Sequence, residues 1–82
     1  MTPADAIRAF ISDSFFVEEY TNEESFLRSG TIDSTGMLEL ISFVEEHFGV
    51  EIDDEELVPD NLDSVDNLVG FLARKGVSTT VA

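Results

Sequence analysis

Asp33-Ser34-Thr35-Gly36-Met37-Leu38-Glu39-Leu40-Ile41-Ser42-Phe43-Val44-Glu45-Glu46-His47-Phe48-Gly49 is the most regular stretch of the chain. Met37, Leu40, Ile41, Val44 and Phe48 fall at i, i+3, i+4, i+7 and i+11, the spacing that aligns one face of an α-helix. Gly49 supplies the stop, because it adopts the left-handed backbone that ends helices. At 3.6 residues per turn, Glu39 and Glu46 stand almost opposite the apolar stripe, with Ser42 and Phe43 beside them and Leu38 and Glu45 on one flank. The outer face is therefore acidic and partly apolar, and it carries no Lys or Arg.

Upstream, Thr2 reads as an N-cap and Pro3 as the first helical residue, and Ala6, Ile7, Phe10 and Ile11 share one face, which predicts a helix over about residues 3–15. Between these two helices runs Glu18-Glu19-Tyr20-Thr21-Asn22-Glu23-Glu24-Ser25, without a period, followed by Phe26, Leu27, Gly30 and Ile32 as anchoring points. Connections longer than about 12 residues are uncommon in small domains and are usually functional or disordered. The apolar anchors favour function. Downstream, Asp53 or Asp54 can cap a single turn, and a short helix is expected near Pro59 to Leu62. A last helix opens at Ser64, buries Val65, Leu68, Val69 and Leu72, and ends with Arg74 and Lys75 before Gly76, in agreement with the helix dipole. The expectation is an all-α fold, a small four-helix bundle of three longer helices and one short one, with a long loop between the first two long helices. Residues 1–76 would form a single domain and 77–82 a flexible tail. Ile32-Asp33-Ser34 and Leu62-Asp63-Ser64 echo each other, since an apolar residue followed by Asp-Ser is a good entry to a helix.

The chain has 82 residues, 43% of them apolar, with 18 Asp plus Glu against 4 Lys plus Arg, a formal net charge of −14. This leaves room for one domain. With no cysteine, neither a disulfide framework nor a thiolate metal site is available, and a reducing, cytoplasmic location is expected. No apolar run approaches the ~20 residues that span a bilayer, and Met1-Thr2-Pro3-Ala4-Asp5 lacks the basic start of a signal peptide. Such a charge repels nucleic acid and anionic membranes and steers the chain toward basic patches on partners. A monomer is expected.

Catalysis fails on geometry. Ser34 and His47 are 13 positions apart on one helix, roughly 20 Å at 1.5 Å per residue, so they form no dyad. His47 has no second His or Cys with which to complete a site. No acidic window has the ligand spacing of an EF-hand, so no metal site is read. Without a Gly-rich phosphate loop, and with too little core to enclose a substrate, the chain is not expected to be an enzyme.

The junction Gly30-Thr31-Ile32-Asp33-Ser34-Thr35-Gly36-Met37, opening an acidic helix that ends in Glu45-Glu46-His47-Phe48-Gly49-Val50-Glu51-Ile52, resembles the phosphopantetheine carriers, the acyl carrier and peptidyl carrier family. The resemblance runs from the first helix to Arg74. Leu40, Glu45-Glu46, Phe48-Gly49-Val50 and Ile52-Asp53-Asp54 match further family features. It implies that Ser34 is esterified by the phosphate of 4′-phosphopantetheine, drawn from coenzyme A, whose terminal thiol holds an acyl or aminoacyl group as a thioester. Asp33 is then the acidic neighbour met by the phosphopantetheinyl transferase. A helix N-terminus suits a phosphodiester, since free backbone N–H groups and the positive dipole end stabilise negative charge. Ser34 could equally serve as a plain N-cap, the one role read for Ser64.

Two positions depart from the family pattern: Thr35 stands for the usual leucine, and Gly36 for a residue often acidic in fatty-acid carriers. A glycine there costs up to about 1 kcal/mol relative to alanine inside a helix, which points to a close approach. Ser42 and Phe43 also differ from many fatty-acid carriers, which suggests a dedicated partner set. The cargo implied is a fatty acyl, polyketide or amino-acid unit, the last kept open by Thr35 and Gly36, so an aminoacyl or peptidyl carrier of a specialised pathway stands as the alternative. Thr35, Leu38, Glu39, Phe43 and Glu46 are the expected docking residues for basic patches on the transferase and on loading enzymes. From another class, an unmodified acidic helical adaptor binding a basic partner stays open, because an acidic face is often only a solvated one.

Overall fold

Thr2 starts the first helix by a reciprocal cap: its hydroxyl accepts the Asp5 N–H, and the Asp5 carboxylate accepts the Thr2 N–H, each at 3.2 Å. These bonds, the backbone one foremost, hold the Asp5 carboxyl below its ordinary value. The computed structural model describes residues 2–17 and 19–77. The helix it starts, α1, spans Pro3–Phe15 and buries Ala6, Ile7 and Ile11. α2 follows at Phe26–Ser29, α3 at Ser34–Phe48, a 3₁₀ turn at Asp54–Glu56, α4 at Pro59–Leu62 and α5 at Val65–Arg74. α1 packs against both α3 and α5, and α4 packs on α5. The architecture is the expected all-α bundle of three long helices, with one short helix more than the sequence suggested, set inside the long loop. The expected tail lies, beyond Val77, outside the described residues.

That loop is fastened at both sides. The Arg8 guanidinium of α1 donates to Asn22 Oδ1 at 2.6 Å and lies over the Tyr20 ring, 4.2 Å from its centroid. On the other side Asp63, between α4 and α5, accepts from the Ser25 hydroxyl and from the Leu27 N–H, and its carbonyl accepts the Phe26 N–H at 2.8 Å. The Asp66 N–H donates back to the Asn22 carbonyl at 2.9 Å. Tyr20, Phe26 and Ile32 plug the core from the loop, while Leu27, expected as an anchor, is 46% exposed. Burial of the Tyr20 hydroxyl pushes its pKa up, partly offset by Arg8.

α3 buries Leu40 and Val44 completely, and Met37, Ile41 and Phe48 pack half-buried at the margin of the core. It ends on Gly49 at φ 66°, as expected. Glu45 differs from the expected outer flank: its carboxylate accepts the Ile52 N–H at 3.1 Å and so anchors the chain leaving the helix. Asp53 caps the 3₁₀ turn, where the Glu56 carboxylate accepts the Asp53 N–H at 3.0 Å and Lys75 Nζ at 2.9 Å. In α5 the buried set is Val65, Leu68, Phe71 and Leu72, so Phe71 takes the place expected for the half-buried Val69. The reason is that α5 is flanked by both α1 and α4, which covers a wider arc than a single stripe.

Candidate functional site

The two Asp-Ser pairs are used in different registers. At α5 the serine is the cap: Ser64 is 4% exposed, and its hydroxyl accepts the Asn67 N–H at 3.0 Å. At α3 the aspartate is the cap. The Asp33 carboxylate accepts the Gly36 N–H at 2.7 Å, and its carbonyl accepts the Met37 N–H at 2.9 Å. Ser34 is therefore pushed into the first helical position, exposed, and its hydroxyl has no hydrogen-bond partner among the described residues. The plain-cap role open to Ser34 in the sequence is filled by its neighbour. The N–H groups of Ser34 and Thr35 lie in the first turn, where no intrahelical acceptor exists, at the positive end of a 15-residue helix. That is the environment a phosphodiester on Ser34 would need, so the residues present fit a phosphopantetheine arm.

Gly36 owes its place to packing. A Cβ on it would meet Ile32 Cγ2 and Phe15 Cε1, each at 2.8 Å, and Asp33 Oδ1 at 3.2 Å. The end of α1 thus lies directly against the first turn of α3, and Gly36 is buried rather than offered to a partner. This is the close approach expected from its cost in a helix, and it removes Gly36 as a sign of an altered docking contact.

Of the expected docking residues, Leu38, Glu39, Phe43 and Glu46 line one shallow groove of about 440 Å³, together with Phe10 and Ser14 of α1. Thr35 lies outside it, exposed in the first turn of α3. Phe43 is half-buried, because its ring stacks on Phe10 with centroids 4.3 Å apart and 15° between planes. His47, exposed at the far end, stacks on Phe43 at 5.0 Å. The sequence reading missed the part taken by α1: Phe10 reads as plain core by its spacing, and only its meeting with Phe43 across the helix pair reveals the groove.

Ser34 itself borders a second groove of about 310 Å³, walled by Met37, Leu38 and Ile41 of α3, by Leu57 and Val58 after the 3₁₀ turn, and by Leu27 of α2. Its lining is mainly apolar, and Leu38 is common to both grooves. The exposure of Leu27 and of Leu57 and Val58, each 41% exposed, is the other feature the sequence did not reveal.

Comparison with known proteins gives a consistent result. The family described as "phosphopantetheine attachment site" matches residues 7–72. Among curated proteins, the chain is 36% identical over 73 residues to an acyl carrier protein of Thermosynechococcus vestitus, covering 87% of this chain and 88% of that one. It is 38% identical over 74 residues to an acyl carrier protein of Nitratidesulfovibrio vulgaris, covering 82% of this chain and 97% of that one. An acyl carrier protein homolog of Mycoplasmopsis pulmonis is 38% identical over 53 residues, with 65% of this chain and 70% of that one covered.

Proposed function

We propose a role for this chain from one premise: it belongs to the acyl carrier protein family, whose prosthetic group is covalently attached 4′-phosphopantetheine. Ser34 is the residue that carries the arm, and Asp33 is the acidic neighbour that both caps α3 and faces the phosphopantetheinyl transferase. The observation that carries the reading is the exposed hydroxyl of Ser34 at the first position of α3, without a hydrogen-bond partner among the described residues because Asp33 does the capping. When bound, the arm supplies a terminal thiol that holds acyl or aminoacyl intermediates as thioesters. The chain's own part is to present Ser34 Oγ to the transferase, to stabilise the phosphodiester with the first-turn N–H groups, and to display an apolar groove beside it.

The chain catalyses nothing itself. Thr35, Leu38, Glu39, Phe43 and Glu46 form the docking surface for basic patches on the transferase and on acyl- or aminoacyl-handling enzymes, and Phe10 and Ser14 extend it. Residues 1–76 act as one carrier domain, monomeric and cytoplasmic. No helix among the described residues is long and apolar enough to cross a membrane. A carrier of a specialised aminoacyl or peptidyl pathway is the second reading, and it rests on Thr35, Ser42 and Phe43, all within the α3 surface that partners would meet.

Incubation with coenzyme A and a broad-specificity phosphopantetheinyl transferase, followed by intact-mass measurement, tests the assignment. The parent is expected to gain one arm and Ser34→Ala none. A folded parent that gains nothing points instead to an unmodified adaptor that binds a basic partner.

A further inference from the structure

We propose that Phe16 is the aromatic anchor by which this chain docks the phosphopantetheinyl transferase, its ring entering an apolar pocket of that enzyme whose rim is basic. The inference rests on Ser34 as the modified residue. Phe16 caps α1 with φ 57°, the left-handed region that a bulky side chain seldom occupies, and its ring is 88% exposed. Both features are unfavourable for phenylalanine, and neither is required by the fold. The cap itself is made by the backbone, where the Phe16 N–H donates to the Ser12 carbonyl at 3.1 Å, and glycine or asparagine would make it with less strain. A ring kept against both strain and water is accounted for when something outside the chain covers it.

Its place in the fold says what that is. Phe15, one residue earlier, lies against Gly36 in the first turn of α3, its Cε1 2.8 Å from where a Cβ on Gly36 would stand. With consecutive Cα atoms about 3.8 Å apart, a phenyl side chain reaching about 5 Å and the 2.8 Å from Phe15 Cε1 to a Cβ on Gly36, the Phe16 Cα is within about 13 Å of the Gly36 Cα. A standard protein footprint of about 800 Å² has a radius of about 16 Å. Ser34 stands two residues before Gly36, at most about 7.6 Å further on, so a footprint of this size seated between Ser34 and the end of α1 spans both that serine and Phe16. The exposed carboxylates Asp13 and Glu19 flank it in sequence, and Arg8 is engaged with Asn22 and Tyr20. An apolar tip with an acidic surround matches an apolar pocket with a basic rim. A second copy of the chain fits poorly, since it would set one net charge of −14 against another.

The test measures thermal midpoint and kcat/KM for arm attachment from coenzyme A in the parent, Phe16→Asn, Phe16→Tyr and Ser34→Ala. Phe16→Asn is expected to raise the midpoint by about 4 °C or more, because asparagine tolerates the left-handed backbone. The same variant is expected to lose about tenfold or more in kcat/KM, mainly through KM, while Phe16→Tyr keeps the parental rate. Attachment to Phe16→Asn at the parental rate overturns the proposal, and so does a parental dimer in sedimentation that this variant dissociates. A Ser34→Ala protein that still gains an arm refutes the premise instead, and is told apart by that control alone.

Discussion

Replacing Gly36 by alanine and replacing Gly70 by alanine should shift stability in opposite directions, although both add one methyl group to a helix. Inside a helix, alanine is favoured over glycine by up to about 1 kcal/mol. At Gly70 in α5 nothing opposes that gain, because the added Cβ meets only the end of the Arg74 side chain, at the ordinary distance of 3.6 Å. Gly70→Ala should therefore stabilise by about 0.5–1 kcal/mol. At Gly36 the same Cβ lands 2.8 Å from both Phe15 Cε1 and Ile32 Cγ2 and 3.2 Å from the capping oxygen of Asp33. Ile32 is 1% exposed and has no space to retreat. Overpacking of this kind costs about 1–3 kcal/mol, which exceeds the propensity gain. A net destabilisation of about 1 kcal/mol follows, equivalent to about 4–8 °C in midpoint for a domain of this size. Urea unfolding of the unmodified protein, with thermal midpoints alongside, reads both variants. Finding Gly36→Ala as stable as Gly70→Ala would refute the claim that the end of α1 is pressed against the first turn of α3.

The two serines differ in the same way. Ser64→Ala should cost about 1 kcal/mol of stability through loss of the buried cap, while Ser34→Ala should stay within about 0.5 kcal/mol, both read by denaturant unfolding. Equal losses would mean that the Ser34 hydroxyl is a structural cap after all. Glu56 is held below the ordinary glutamate value by the Asp53 N–H and then by Lys75, and Lys75 is raised by Glu56. The Glu56 contribution is complete above its unfolded value near 4.3 and is lost as the pH falls through the lowered folded value. The Lys75 contribution is complete below its unfolded value near 10.4 and is lost as the pH rises through its raised folded value. Glu56→Gln should thus unfold more easily than the parent at pH 7, with the gap narrowing as the pH falls through the lowered folded value of Glu56; an unchanged gap contradicts the pairing. Reversing Glu39 and Glu46 to lysine should slow arm attachment at low salt and leave little difference at about 0.5 M salt, where screening is strong. Rates equal to the parent's at low salt would remove these two residues from the docking surface.

Much of this was legible in the sequence, where the determining contacts are local. Thr2 and Pro3 mark the start of α1, and the 3.6-residue stripe from Met37 to Phe48 with Gly49 fixes α3, because caps and stripes lie within one element. Four-residue α2 left no such mark. One turn has no period to read, and it is held by Asp63, 36 to 38 positions away in the chain. The role of Glu45 was hidden for the same reason, and at Gly36 the close approach was legible but not the residues that make it, since both depend on neighbours that only the fold supplies. Phe71 was missed because a stripe read from one helix does not show how many neighbours cover it. At the site, the motif indicated Ser34, while the one-residue difference in capping register between the two Asp-Ser pairs became visible only in the backbone hydrogen bonds.

The most direct measurement is peptide mapping by tandem mass spectrometry of the protein purified from its natural host. The arm should be found on the peptide containing Ser34, with the peptide containing Ser64 unmodified in the same digest. An arm on Ser64 or on any other serine, or a bare Ser34 throughout growing cells, would contradict the account.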